Sequence, residues 1–190
     1  MNLFFTADTH FHHKNIIQYC NRPFKDVEEM NEMMIQRWNE VVGVEDTVIH
    51  VGDFGIGNIR KLQDIRVRLN GMIWMVLGNH DWNIKPHRWI EDLGMINADP
   101  FIDVQGMHVR HHPMNSDERL YNNIPEDKWI LCGHVHDHWI FNGRKLNVGL
   151  DVHNFTNINI DKIKEQIRQM ELTYQIMEKD KNVLKELANG

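Results

Sequence analysis

The stretch at residues 73–81 constrains the fold of this chain most strongly. It begins with an apolar run of strand length, 73–77, which stops at Gly78. Such a run is typical of a strand that is buried on both faces in a parallel sheet. Three polar residues follow at once: Asn79, His80 and Asp81. Ligands bind just beyond the carboxyl ends of strands in open α/β sheets, so the run predicts a site here, although Gly-Asn-His-Asp alone also suits a tight turn.

Strand and helix patterns alternate through the first half of the chain. Short apolar runs are separated by stretches in which apolar residues recur at helical spacing. Asp26 with Glu29 predicts the cap of the longer helix. The predicted segments are a strand at 3–7, helices at 15–20 and 27–42, a strand at 47–51, a helix at 59–69 and a strand at 72–77. This order predicts parallel strands joined by right-handed crossovers.

The second half of the chain is predicted to contain mostly short strands. The predicted elements are a helix at 86–93, strands at 95–98, 101–104, 107–111 and 129–132, a polar surface loop at 113–127, a hairpin of 137–141 and 145–148, and a helix at 161–188. Asn142-Gly143 is a favoured hairpin turn. The length of 190 residues, without a repeat or an evident linker, predicts one domain over 1–190 with 161–188 as its C-terminal helix.

Metal-binding residue types follow the predicted strands, at the point where each strand ends. Asp8 and His10 would lie on one side of an extended segment, as would His134 and His136. The full set is Asp8, His10, Asp53, Asn79, His111, His134 and His136. The set exceeds the three protein ligands of a catalytic zinc ion and suits two metals that share a carboxylate. Nitrogen and oxygen ligands without thiolate favour manganese, iron or zinc over calcium or magnesium.

Two other interpretations of these residues remain open. The chain has 13 histidines, and several could be unrelated surface residues. The set could also form a metal-binding module without turnover.

Composition limits the partners and the compartment. A net charge of -6 argues against broad nucleic-acid binding, although bound cations would still permit phosphate substrates. Two cysteines are too few for a disulfide framework. The first residues are too short for a signal-peptide core, and no apolar run approaches transmembrane length. We therefore expect a cytoplasmic protein that does not bind membranes.

The motifs together resemble the calcineurin-like metallophosphoesterase family. They occur in the family's order: Asp8-x-His10, Gly52-Asp53, Gly78-Asn79-His80-Asp81, His111 and Gly133-His134-Val135-His136. Further segments resemble its small stand-alone bacterial and phage branch: 8–17, Arg22-Pro23-Phe24 and Asn147-Val148-Gly149-Leu150-Asp151. The resemblance implies an α/β fold, a two-layer β-sandwich flanked by α-helices (α/β/β/α). It also implies phosphoester hydrolysis, in which a hydroxide between two metal ions attacks phosphorus.

The resemblance also implies roles for single residues. The first metal would be held by Asp8, His10, Asp53 and His136, and the second by Asp53, Asn79, His111 and His134. Asp53 would bridge, and His80 would be catalytic, stabilising charge or protonating the leaving oxygen. The cofactors would be two divalent ions, manganese first, with iron, zinc or nickel as alternatives. His111 is favoured as the ligand over His112 because it ends its strand directly. The sequence does not decide between the two histidines.

The substrate is predicted only as a class. Phe54-Gly55 follows Gly52-Asp53 where the protein phosphatase branch carries an acid and an arginine, which argues against a phosphoprotein. A small phosphorylated or nucleotide substrate is expected, hydrolysed at a phosphoester bond, with a phosphodiester favoured over a monoester. His13, Arg22 and His112 are candidates for binding it, since phosphate needs cationic partners. The alternatives are a nuclease on DNA or RNA and a non-catalytic metal-binding scaffold.

The C-terminal helix carries an apolar stripe at spacings of four and three. The stripe consists of Ile163, Ile167, Met170, Tyr174, Met177 and Leu184, interrupted by Lys181. This is the pattern of a coiled-coil seam, although it covers only about three heptads. The chain is therefore expected to be a monomer with this stripe docked on its own domain, or a homodimer joined through it.

Overall fold

The structure, a computed structural model, describes residues 1–113, 124 and 127–189, with side chains described up to residue 181. The strands are β1 (Leu3–Thr6), β2 (Thr47–Val51), β3 (Met72–Val76), β4 (Ala98–Asp99), β5 (Phe101–Val104), β6 (Met107–Arg110), β7 (Ile130–Cys132), β8 (Lys145–Asn147) and β9 (Ile158–Asn159). The helices are α1 (Ile16–Tyr19), α2 (Val27–Val41), α3 (Ile59–Arg66), α4 (Pro86–Glu91) and α5 (Ile160–Asn189). Most of the predicted 113–127 loop lies outside the described residues.

The strands form two sheets, in which parallel pairing dominates. One sheet has the order β4-β3-β2-β1-β9, and the other has the order β5-β6-β7-β8. β1, β2 and β3 pair in parallel, as do β6, β7 and β8, whereas β5 and β6 are antiparallel. The predicted α/β class with two sheets and flanking helices is confirmed.

The helices α2, α3 and α4 pack apolar residues against one face of the five-stranded sheet. Phe4, Val48 and Ile73 point to this face and belong to one apolar core with Met34 and Trp38 of α2. α2 begins as predicted, because the Asp26 side chain accepts a hydrogen bond from the backbone N–H of Glu29. This capping and the buried stripe of α2 agree with the pattern of its sequence.

The prediction that β3 is buried on both faces is wrong. Ile73, Met75 and Val76 are buried, but Met72 is 43% exposed and Trp74 is 38% exposed. The two exposed residues line an open groove of about 690 Å³ together with Leu3, Thr47 and residues 103–105. The amino-terminal ends of the strands are therefore left partly uncovered, while their carboxyl ends are buried.

The predicted hairpin around Asn142-Gly143 is wrong in its first arm. Residues 145–147 form a strand, but only Phe141 of the first arm pairs with it, through an isolated bridge to Leu146. The Asn147 side chain instead donates hydrogen bonds to the carbonyls of His136 and Trp139. These bonds hold the segment before Phe141 in turns, because the carbonyls of His136 and Trp139 are bonded to a side chain and not to the backbone of a neighbouring strand.

The chain divides into two compact units, the first of which is Met1–Ile158. The second begins at Asn159 and comprises α5, whose first turn is capped by the Asn159 side chain accepting from the Asp161 backbone N–H. On α5, Ile163 is buried, whereas Leu172, Ile176 and Met177 are more than half exposed. The assignment of 1–190 to a single domain stays a prediction. Within the described residues, α5 included, no helix has the length and apolarity needed to cross a membrane.

Candidate metal centre

The carboxyl ends of five strands bring the seven predicted ligands together. Asp8 and His10 follow β1, Asp53 follows β2, Asn79 follows β3, His111 follows β6, and His134 and His136 follow β7. Backbone hydrogen bonds join the loops: Asp8 donates to the Gly52 carbonyl at 3.0 Å and His10 to the Asp53 carbonyl at 3.0 Å. The two sheets therefore meet at one polar cluster, as expected for the carboxyl edge of parallel strands.

Most of the predicted ligands adopt a left-handed backbone conformation. The φ angles are +58° for Asp8, +49° for His10, +58° for Asp53, +72° for His134 and +47° for His136. The extended geometry expected for the Asp-x-His and His-x-His pairs is therefore wrong, although both pairs still reach the cluster. Such conformations cost about 1–3 kcal/mol each and persist where surrounding contacts hold them, commonly at functional sites.

Asp53 lies at the centre of the cluster. Its Oδ2 atom is 3.3 Å from His111 Nε2, 3.6 Å from His10 Nε2 and 4.0 Å from His80 Nε2. Burial alone would raise the pKa of Asp53, but the hydrogen bond to His111 and the nearby imidazoles lower it well below its usual range. Gly78 is required beside it, because a Cβ atom there would overlap the Asp53 carboxylate. Asp53 is therefore a buried, ionised carboxylate that faces several histidines.

The group around Asn79 is oriented by backbone contacts. His111 Nδ1 lies 2.8 Å from the Val51 carbonyl, which fixes Nδ1–H as the donor and directs Nε2 towards Asp53 and Asn79. Asn79 Oδ1 is 3.1 Å from His111 Nε2 and 3.0 Å from His134 Nδ1. The ligand atoms predicted for the second metal thus converge on one side of Asp53.

The group around His10 has the character of a metal-ligand set. Ligand atoms of Asp8, His10 and His136 lie within 4.8 Å of one another. His10 Nε2 is buried and has no hydrogen-bond partner among the described residues. Burial lowers the pKa of His10 to about 2, so its imidazole is neutral and keeps a lone pair for a metal. Buried polar atoms are normally paired, so this orphaned nitrogen fits a metal ligand.

Asp8 is the second carboxylate that lies near both groups. Its ligand atoms also cluster with Asp53 and His111, and its Oδ1 is 4.0 Å from His111 Nδ1. That nitrogen, however, already bonds to the Val51 carbonyl. The Asp8 carboxylate instead accepts the His134 backbone N–H at 2.9 Å. The geometry therefore favours Asp53 over Asp8 as the shared carboxylate, and the ligand roles themselves stay predictions.

Asp151 is a site residue that the sequence reasoning quoted without a role. Its Oδ2 atom is 2.9 Å from His136 Nδ1, on the side of the ring away from Nε2. Burial would lower the pKa of His136, but the hydrogen bond to Asp151 raises it to about 10. A carboxylate behind a histidine fixes its tautomer and its orientation as a ligand. The segment Asn147–Asp151, part of the resemblance, carried the signal for this residue.

Arg22 is placed behind the cluster. Its guanidinium makes two hydrogen bonds to Asp151, at 2.8 and 2.9 Å, and donates to the carbonyls of Asp8 and Thr9 at 2.7 and 3.1 Å. Only 4% of Arg22 is exposed. These contacts support a positioning role for Arg22, and its predicted contact with substrate gains no support from them.

The other two predicted substrate residues lie at the edges of the cluster. His13 Nδ1 is 3.3 Å from His10 Nδ1, and the His13 ring lies 6.0 Å from that of His80. The His112 ring lies 4.3 Å from that of His134. Both are partly exposed, so a bound molecule could reach them.

A thiol also lies near His136, which the sequence reasoning did not anticipate. Ligand atoms of Cys20, His136 and Asp151 lie within 4.8 Å of one another. Asp151 is already engaged by Arg22 and by His136 Nδ1. A metal held by these three residues would have to break that ion pair, so the groups around His10 and Asn79 are the better ligand sets.

His80 and Asp81 point in different directions from one turn. The His80 side chain is 41% exposed and faces Asp53, whose Oδ1 also accepts the His80 backbone N–H at 2.9 Å. Asp81 is buried, and its oxygens accept the backbone N–H groups of Gly78, Asp53 and Phe54. Asp81 therefore joins the loops after β2 and β3 and does not orient the His80 ring.

Replacing Asp151 with Ala should weaken metal binding about 10–100-fold, because partners of metal-ligating histidines typically contribute that much. Titration of the purified variant with manganese, followed by calorimetry, measures the change. Arg22→Leu is the matched control, since it breaks the same buried ion pair but leaves Asp151 behind His136. An equal loss in both variants would show that the ion pair, and not the His136 contact, controls affinity.

Three comparisons identify what this chain is similar to. The calcineurin-like phosphoesterase superfamily domain matches residues 1–180. An uncharacterized protein of Methanocaldococcus jannaschii is 35% identical over 176 residues, covering 88% of this chain and 92% of the relative. The gene 66 protein of Mycobacterium phage L5 is 28% identical over 181 residues, covering 79% of this chain and 86% of the relative.

A solved structure also shares the fold. The crystal structure of a protein of unknown function from Aquifex aeolicus matches with a TM-score of 0.63 and 24% identity, covering 87% of this chain and 99% of that one. The superfamily match and the cluster of candidate ligands agree with a metal-dependent phosphoesterase in general terms. On its sequence and its fold, the chain belongs to the calcineurin-like phosphoesterase superfamily.

Proposed function

We propose that this protein is a dinuclear metal-dependent phosphoesterase that hydrolyses phosphodiester bonds in a small phosphorylated or nucleotide substrate. The observation that carries the proposal is the position of Asp53, whose Oδ2 atom lies within 4.0 Å of imidazole nitrogens from His10, His80 and His111. One carboxylate between two histidine groups suits a pair of divalent ions, which supply a nucleophile at neutral pH and neutralise charge on the phosphoryl oxygens.

In this proposal, the ligand loops and His80 have different roles. The loops after β1, β2 and β7 hold their ligands in left-handed backbone conformations, and the loops after β3 and β6 supply Asn79 and His111. His80 faces the same carboxylate from an exposed position. It is therefore placed to donate a proton to the leaving oxygen or to stabilise charge there.

Removing metal should abolish hydrolysis, and manganese should restore it. Nitrogen and oxygen ligands of this kind favour manganese, with iron, zinc and nickel to be compared in the same assay. The measurement is turnover of bis-p-nitrophenyl phosphate before chelation, after chelation and after add-back, with metal content determined each time. Unchanged turnover in excess EDTA, with metal content at zero, would contradict the proposal.

The same assay separates the alternative functions. A scaffold would bind manganese without turnover of any ester. A nuclease would cleave DNA or RNA on a gel, although a net charge of -6 provides no broad basic surface for a polymer. A screen of phosphodiesters, monoesters and cyclic nucleotides with manganese would define the substrate class. The cytoplasmic location stays a prediction.

Self-association through α5 is a further proposal about the full-length chain. Of the predicted stripe, Ile163 is buried, whereas Met177 is 51% exposed. If the stripe forms a seam, sedimentation should show dimers at micromolar concentrations, and Met177→Glu should shift the protein to monomers, because a charge in an apolar seam is costly. Lys164→Glu on the same helix is the control. A monomer across a wide concentration range would contradict self-association through α5.

A further inference from the structure

A pocket of about 280 Å³ opens beside the group around Asn79. Its walls include Asn79, Trp82, Pro100, Arg110, His111 and His112. Two of these residues are predicted metal ligands, so a molecule held in the pocket would lie directly beside the centre. The volume is near the lower end for ligand pockets, which suits one small group and not a polymer segment.

Trp82 is the distinctive wall of this pocket. It is 55% exposed, whereas Trp38, Trp89 and Trp129 are at most 5% exposed. Trp82 lies on a short 3-10 turn, Asp81–Asn83, and the buried Asp81 ties that turn to the loops after β2 and β3. The indole is therefore presented from a rigid backbone. An exposed aromatic ring with a fixed position is a stacking surface for planar groups.

A second part of the pocket wall carries a cation. Arg110 is 4% exposed, and its Nε atom donates to the His112 carbonyl. Its buried charge contributes positive potential to the wall that includes His112. A ligand with both a planar aromatic part and an anionic part would match the two sides of the pocket. Nucleotides combine these two features.

The pocket and His80 lie beside different residues of the centre. The ring centroid of His80 lies 5.3 Å from that of His10, and His13 lies beside them. The pocket instead adjoins Asn79 and His111. A phosphodiester carries two ester groups, so one can leave on the His80 side while the other occupies the pocket. A monoester has a single ester group, so it would occupy only one of these two positions, the His80 side or the pocket.

We propose that Trp82 is a specificity-determining residue, on which the base of a nucleotide-containing phosphodiester stacks while its phosphate lies at the centre. The inference rests on the proposed function and deepens it. In the reaction, a water oxygen bonds to phosphorus and the P–O bond to the leaving group breaks, with its electron pair staying on the leaving oxygen. The proton released by the water ends on the leaving oxygen, or in solvent when a phenolate leaves, and the nucleoside monophosphate remains in the pocket. Base–aromatic stacking then favours nucleotide esters over simple alkyl esters.

The test compares two esters with the same leaving group. p-Nitrophenyl thymidine 5′-phosphate carries a base, and methyl p-nitrophenyl phosphate does not. In Trp82→Ala, the ratio of kcat/KM for the first ester to that for the second should fall about tenfold, towards the lower end of the range for stacking on one base. Trp82→Phe should restore most of the ratio, because phenylalanine still offers a ring face. Trp74→Ala, at an exposed tryptophan of β3, is the matched control and should keep the wild-type ratio.

Binding gives a second readout that does not depend on turnover. Equilibrium dialysis with thymidine 5′-monophosphate and manganese should show about tenfold weaker binding in Trp82→Ala than in wild type, relative to inorganic phosphate. If neither ester is hydrolysed but this binding difference is found, the proposed function fails and the stacking role stands. If both the ratio and the relative binding are unchanged in Trp82→Ala, the stacking role is wrong.

Discussion

Asp53→Asn is expected to lower kcat/KM by more than about 100-fold, because even the partners of metal ligands contribute about 10–100-fold. Asp53 Oδ2 lies between His111 and His10, at 3.3 and 3.6 Å. Replacing its charge with an amide removes the carboxylate that lies closest to imidazole nitrogens of both histidine groups among the described residues. Both metal ions should therefore be held weakly, and metal counting on the purified variant should find fewer than one ion retained.

Asp8→Asn is the matched comparison for Asp53→Asn. Both carboxylates are buried, and both accept a backbone N–H from a neighbouring loop, His134 for Asp8 and His80 for Asp53. An asparagine oxygen can keep that bond in either variant, so the difference between them reports on metal. Asp8→Asn should lose one ion and keep the other. Retention of two ions in Asp53→Asn, with loss of both in Asp8→Asn, would assign the bridge to Asp8.

His80→Ala is expected to keep its metals and lose about 10²–10⁴-fold in kcat, the usual contribution of a general acid. The side chain is 41% exposed and its Nε2 is 4.0 Å from Asp53, so it faces the centre without being one of the buried nitrogens. Alkoxide leaving groups need a proton, whereas nitrophenolate does not. The loss should therefore be larger for an alkyl ester than for a nitrophenyl ester.

The leaving-group dependence separates two roles for His80. An equal loss with both kinds of ester would indicate that the imidazole stabilises charge on phosphorus and does not transfer a proton. His87→Ala, at an exposed histidine on α4, controls for the removal of an imidazole from the surface. Metal content must be measured in each variant, because a variant that loses ions would lose activity through its metal site and not through the missing His80 imidazole.

Local patterns in the sequence predicted most elements of the fold. The strand at 47–51 was predicted with its observed bounds, and the cap of α2 at Asp26 is confirmed. These features depend on residues close together in the chain, where apolar spacing and capping chemistry act directly. The hairpin around Asn142-Gly143 failed because Asn147 bonds to carbonyls up to 11 residues away.

The chemistry of the centre could also be expected from the sequence, since carboxylates, an amide and imidazoles follow strand after strand. Its conformation could not. The left-handed φ angles of Asp8, His10, Asp53, His134 and His136 are uncommon for residues other than glycine, although Asp and His adopt them more often than most. They are held by hydrogen bonds between loops that are far apart in the chain, which no local pattern encodes.

The sequence by itself determined the kinds of residue at the strand ends and the order of strands that carries them. Only the tertiary structure decided which of these residues face one another. It placed Asp151 behind His136 across 15 residues and Arg22 against Asp151 across 129 residues. It also separated the neighbours His80 and Asp81: His80 faces Asp53 at the centre, whereas Asp81 accepts hydrogen bonds from backbone N–H groups. The physical reason is that burial leaves each polar group a single set of partners, and those partners come from distant loops.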